Sequence, residues 1–188
     1  MTSPLNHTTA GTARPLAPPT LDMNALGLAR RSAEAGTPAA GDAAWRQGVV
    51  RLLNDALATE LVCVLRYKRH HFTAHGLASP RIAEEFMVHA TEEAGHADRL
   101  ARRIAQLGGE PDFSPDSLLR RSHAVYDESK ALQQMIQVNL VAERVAVESY
   151  TQLIALVRDQ DPTTRRLLED ILADEQKHAE ELQSWLNG

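Results

Sequence analysis

From Trp45 onward the prolines stand only at positions 80, 111, 115 and 162, and between them apolar residues recur at steps of three and four. Proline inside a helix removes a backbone hydrogen bond and clashes with the preceding turn, so its confinement to a few positions leaves four long segments free to be helical. Ser79-Pro80 and Asp161-Pro162 each read as an N-cap followed by proline in the first turn, and Gly76 and Gly108 are suitable terminators. The spacing predicts helices over 43–75, 80–107, 127–159 and 162–186, without strand-like alternation. The short links "GLAS" and "QD" make each helix pair a hairpin, whereas "GGEPDFSPDSLLRRSHAVY" is long enough to run the length of a bundle. The predicted fold is all-α: an antiparallel four-helix bundle with a long crossover between its second and third helices.

Composition limits what such a bundle does. The chain has 188 residues, 43% hydrophobic and 24% charged, enough for one soluble domain with a substantial core. A formal net charge of -5 gives no general attraction to nucleic acid or anionic lipid, and cations fit the balance better. Cys63 is the single cysteine, so no disulfide forms within the chain, and a buried, inert thiol in a reducing compartment is expected. No apolar run is long enough to cross a bilayer, and the N-terminus lacks the charged-then-apolar order of a secretory signal. A cytoplasmic location is the expectation. Residues 1–42 hold five of the nine prolines and balance Arg14, Arg30 and Arg31 against Asp22, Glu34 and Asp42. A disordered tail is expected there, with the bundle over 43–188.

The helical stripes carry an anomaly. They run Leu53, Leu57, Glu60, Val64, Tyr67; then Ile82, Phe86, His89, Glu93, His96, Leu100; then Leu132, Ile136, Asn139, Glu143, Val147, Tyr150, Ile154; then Leu168, Ile171, Glu175, His178, Leu182, Trp185. A carboxylate interrupts every seam. Four unpaired buried carboxylates are costly because desolvated like charges drive one another to protonate, and bound cations remove that penalty. With turns near residues 77 and 160, Glu60 and Glu143 each lie 17 residues before a turn, with Glu93, His96, Glu175 and His178 15 to 19 residues after one. All six should meet at one level, roughly 25 Å from the turns. "EEAGH" and "DEQKH" both set a glutamate three residues before a histidine, on one helix face. Two imidazoles and four carboxylates suit iron or manganese with positions open to oxygen species. Tyr67 and Tyr150 read mainly as core aromatics with hydroxyls within reach of this level, and His89, one turn before Glu93, reads equally as an outer contact or as a hydrogen-bonded core histidine. His70, His71 and His75 are expected to face solvent near a helix end.

The segments "LNDALATELVCVLRY", "EEAGH", "NLVAERVAVESY" and "DEQKH" resemble the four helices of the ferritin-like superfamily, closest to bacterioferritins and to Dps-like proteins with a bacterioferritin-type centre. The resemblance covers 45–186 and implies that Glu60, Glu93, His96, Glu143, Glu175 and His178 ligate two iron ions, with Glu93 and Glu175 bridging. It implies Fe(II) oxidation by O2 or H2O2 with iron storage in a homo-oligomer, a twelve-subunit shell being one form. Manganese fits the same donor set. Ala94 stands where bacterioferritins carry their haem methionine, so no haem is expected. Ala146 and the single Cys63 depart from the rubrerythrin pattern, and the ten residues after His178 leave no room for a fifth helix. The rival readings are a di-iron oxygenase or peroxidase acting on an organic substrate, and a DNA-protecting Dps-like protein. The acidic chain and neutral tail argue against DNA binding.

Overall fold

The computed structural model describes Asn24, residues 43–75 and residues 79–187. Apart from Asn24, the tail expected over 1–42 lies outside the described residues. Among the described residues from Ala43 onward, five helices follow in order: α1 (Ala43–Thr73), α2 (Ser79–Gln106), α3 (Leu118–Arg121), α4 (Leu132–Val157) and α5 (Pro162–Asn187). No strand occurs among the described residues. α1 packs chiefly on α2 and α4 on α5, and the two hairpins meet through α1 with α4 and α2 with α5. This is the predicted all-α bundle with its long crossover.

Two helix ends show how local chemistry sets the boundaries. Asp161 Oδ1 accepts the Thr164 N–H at 3.0 Å, the expected N-cap of α5, and its Oδ2 accepts Arg103 Nη2 at 2.7 Å, tying the end of α2 to the start of α5. α2 closes in a Schellman turn: Gly109 N–H donates to Ile104 O and Gly108 N–H to Ala105 O, both at 3.0 Å, while Gly108 takes φ 78°. Gly109 is fixed for a second reason, since a Cβ there would stand 2.5 Å from Val50 Cγ1.

The third long helix departs from expectation, beginning at Leu132 rather than at 127. Asp127 Oδ1 captures the Ser129 N–H at 2.8 Å, a local turn that competes with helix. Arg69 then holds the Ser129 and Glu128 carbonyls at 3.1 and 3.0 Å against α1.

The core lies in two apolar clusters. One holds Leu53, Leu57, Leu100, Ile104, Leu153, Leu168 and Ile171; the other holds Tyr67, Phe86, Met135, Ile136, Leu140 and Leu182. Each fully buried leucine or isoleucine contributes about 1.5–3 kcal/mol. These layers determine which polar residues can be inside at all.

Candidate metal centre

Glu60 from α1, Glu93 and His96 from α2, Glu143 from α4, and Glu175 and His178 from α5 are all buried, none more than 3% exposed. The four helices bring all six predicted residues together in two overlapping groups. One donor atom each from Glu60, Glu93, His96 and Glu175 lie within 4.8 Å of one another, as do one each from Glu93, Glu143, Glu175 and His178. Glu93 and Glu175 belong to both. A pair of ions would therefore have one terminal carboxylate and one imidazole apiece, with two carboxylates shared.

Contacts within the groups are close. His96 Nδ1 lies 2.9 Å from Glu175 Oε1, 3.1 Å from Glu93 Oε2 and 3.6 Å from Glu60 Oε2. His178 Nδ1 lies 3.6 Å from Glu93 Oε1 and 3.8 Å from Glu143 Oε2. The buried atoms Glu93 Oε1, Glu143 Oε2, Glu175 Oε1 and His178 Nδ1 have no hydrogen-bond partner. Orphaned donors converging from three helices fit a cation, because leaving them unpaired carries the full desolvation penalty.

The electrostatics agree with this. Burial, reinforced by Glu93, pushes the Glu60 carboxyl up to about 8. Burial and the charges of Glu93, Glu60 and Glu143 hold Glu175 well above the usual carboxylate range. Burial also opposes ionisation of Glu93, but hydrogen bonds with His178, His96 and Glu60 outweigh it and keep Glu93 well below that range. Burial works against both imidazolium ions, yet Glu60 and Glu93 carry His96 up to about 10, and Glu143 and Glu93 carry His178 up to about 11. The cluster thus retains protons that cations would replace.

Outer contacts repeat with the hairpins. Tyr67 lies seven residues after Glu60 and donates to Glu143 across the bundle; Tyr150 lies seven after Glu143 and donates to Glu60. Burial pushes both phenols well above their ordinary range, with Glu143 and Glu60 as the next causes. His89 is buried, with Nδ1 3.1 Å from the Tyr67 hydroxyl and Nε2 3.0 Å from Glu181 Oε2. Tyr67, Tyr150 and His89 are thus buried core residues whose polar atoms also reach the centre's side chains or one another.

Two positioning residues escaped the sequence reading. His178 Nε2–H donates to Glu92 Oε2 at 2.7 Å, and His96 Nε2–H to Asp174 Oδ2 at 3.2 Å. Each bond leaves Nδ1 facing the carboxylates. The signal was present, since both motifs carry an acidic residue immediately before the glutamate. Its target on the opposite hairpin was not visible from spacing alone.

His70 is a correction. Expected in solvent, it is fully buried, because the crossover covers α1 at that level. Asn139 bridges it to Arg66: Arg66 Nε donates to Asn139 Oδ1 at 2.7 Å, and Asn139 Nδ2 lies 3.0 Å from His70 Nδ1. Arg66 is only 1% exposed and also donates to the Val125 carbonyl at 3.0 Å and to Cys63 Sγ at 3.4 Å. His71 instead reaches the Ala83 carbonyl at 2.7 Å, and His75 is exposed. Cys63 is buried, as expected, and burial pushes its thiol well up.

A four-helix bundle of two hairpins, with a Glu-x-x-His pair in each and a further buried glutamate facing it, defines the ferritin-like class of helical bundles. Residues 50–188 match the family described as Ferritin, a ferritin-like domain, and the chain belongs to it. It is 32% identical over 133 residues to a bacterioferritin of Desulfovibrio desulfuricans, covering 69% of each chain. The crystal structure of that organism's bacterioferritin, which carries a diiron site, superposes with a TM-score of 0.69 at 26% identity, over 79% of this chain and 84% of the other. A dodecameric thioferritin, the bacterioferritin-related protein of Bacteroides fragilis, superposes with a TM-score of 0.73 at 28% identity, over 76% and 86%. Among the described residues, no helix is long and apolar enough to cross a membrane.

Proposed function

We propose that this chain oxidises Fe(II) at a centre formed by Glu60, Glu93, His96, Glu143, Glu175 and His178, and delivers Fe(III) for storage in a homo-oligomer. The observation that carries the reading is the pair of overlapping donor groups sharing Glu93 and Glu175. Two Fe(II) ions held there would each give one electron, and with two protons from solvent would reduce O2 to H2O2, or H2O2 to two waters. The carboxylates offset the added charge of the ferric product. Glu92 and Asp174 hold the histidine rings with Nδ1 inward, and Tyr67 and Tyr150 hold one oxygen each of Glu143 and Glu60. The diiron site named for the Desulfovibrio desulfuricans protein and the dodecamer named for the Bacteroides fragilis protein support the centre and the oligomer. With Ala94 at the haem-methionine position, the centre works without haem. Manganese is the competing metal, and metal analysis of protein from native cells discriminates.

Among the rivals, a reaction on an organic substrate needs room beside the metals. The cavity lined by Glu60, Tyr150, Thr59 and Ser149 measures about 10 Å³, space for roughly one water.

The test is anaerobic loading with Fe(II), then exposure to oxidant, with absorbance of the ferric product followed in time. Uptake of about two Fe(II) per chain and rapid oxidation are expected. Unchanged uptake in the double variant Glu93→Ala, His96→Ala would overturn the assignment.

A further inference from the structure

The two hairpins repeat the six ligand-type residues in register, and they differ at a buried position one turn before the central glutamate. Four residues before Glu93 stands His89; four before Glu175 stands Ile171, fully buried in the apolar core. The His89 ring stacks on His178, with centroids 4.2 Å apart and planes at 19°, and its other side faces Trp185 at 5.9 Å. It also meets Tyr67 edge-on at 5.2 Å, and its two nitrogens reach Tyr67 and Glu181. Among the described residues, the ring contact of His96 is with His178 itself, at 6.2 Å.

The donor atoms differ correspondingly. On the His178 side, Nδ1, Glu93 Oε1 and Glu143 Oε2 have no hydrogen-bond partner, and Nε2 is anchored to Glu92 at 2.7 Å. On the His96 side, Nδ1 is hydrogen-bonded with Glu93 Oε2 at 3.1 Å and Nε2 reaches Asp174 at 3.2 Å, while Glu175 Oε1, 2.9 Å from Nδ1, has no hydrogen-bond partner. A cation between Glu143 and His178 only adds bonds to atoms already held in place. One between Glu60 and His96 must first separate the imidazole from Glu93 Oε2.

We propose, building on the di-metal reading above, that the two metal positions are inequivalent: the His178–Glu143 position binds a divalent cation first and more tightly, and His89 is the positioning residue that makes it so. The stack and the Glu92 bond restrict the His178 ring from two directions, so less ordering accompanies binding. One donor atom each from His89, Glu143 and His178 also lie within 4.8 Å of one another, but both His89 nitrogens are engaged, with Tyr67 and Glu181, which leaves His89 to support the ligands.

The experiment titrates chelator-treated full-length protein with Co(II) under argon, following the visible ligand-field bands and the heat of binding. Wild type should bind in two resolved steps, each saturating near one Co(II) per chain. Glu60→Gln should remove the weaker step and leave the tighter; Glu143→Gln should do the reverse. His89→Ile, which copies the other hairpin, should weaken the tighter step by about 10-fold to 100-fold, the range for lost supports of a metal ligand, and leave the weaker step unchanged. General damage to the fold would weaken both steps, so the unchanged step serves as the control. Loss of the tighter step in Glu60→Gln, a single unresolved step in wild type, or intact steps in His89→Ile would each overturn the proposal while leaving the di-metal centre standing. No Co(II) uptake by wild type would overturn both.

Discussion

At Glu143 two opposed effects meet on one side chain. Its Oε1 accepts the Tyr67 hydroxyl and its Oε2 is an orphan beside Glu175. Glutamine keeps the carbonyl for Tyr67, turns an amide hydrogen toward Glu175 and removes one buried like charge, while losing a metal bond. In the presence of chelator, Glu143→Gln should therefore melt at or above the wild-type temperature. With Fe(II) under argon the order should reverse, because a ligand binding only the native state raises its stability. Thermal midpoints of both proteins in both conditions check this. A wild-type midpoint indifferent to metal would count against the centre, whatever the variant does.

Among the elements, the crossover has the most unusual anchorage, a buried charged residue and a buried histidine on α1. Arg66 and Arg69 bind carbonyls of residues 125, 128 and 129, and His70 Nε2 stands 3.6 Å from Asp127 Oδ1. Burial, helped by the charges of Arg66 and Arg69 and opposed by Asp127, lowers His70 from 6.5 to about 4. The folded state therefore resists a proton that the unfolded chain accepts. The stability this provides is complete above about pH 6.5 and is lost as pH falls toward 4. Urea midpoints measured at pH 7.5 and pH 5 should fall more for wild type than for His70→Gln, which cannot protonate. Equal losses in the two proteins would assign the pH sensitivity to other groups.

For the whole molecule, the exposed apolar side chains bear on assembly. Leu65, Phe72, Val125 and Val141 are large apolar side chains left at least half exposed on the bundle and crossover. Such side chains on a chain of this family are what packing against further copies would cover. Size-exclusion chromatography with light scattering should find a closed multi-subunit species, and twelve chains would agree with the storage reading. A monomer or dimer would leave no interior for a ferric mineral and would favour chemistry on a small diffusible substrate.

How much of this was readable beforehand depends on the range of the interaction. Helix positions, the Asp161 cap, the Gly108 terminator and the level at which six ligand-type side chains meet all follow from local rules: a 1.5 Å rise, a 3.6-residue turn and the punctuation of proline and glycine. Those rules act along one helix, so the amino-acid sequence by itself determined the fold class and the six residues that would share a level. It could not determine partners between hairpins. That Glu92 holds His178, that Tyr67 reaches Glu143 and not Glu60, and that His89 stacks on His178 depend on how the helices are rotated and placed against one another. Tertiary packing alone decides that. The burial of Arg66 and His70 was hidden for the same reason, since the segment that covers them lies about sixty residues further along the chain and carries no periodicity pointing back to α1.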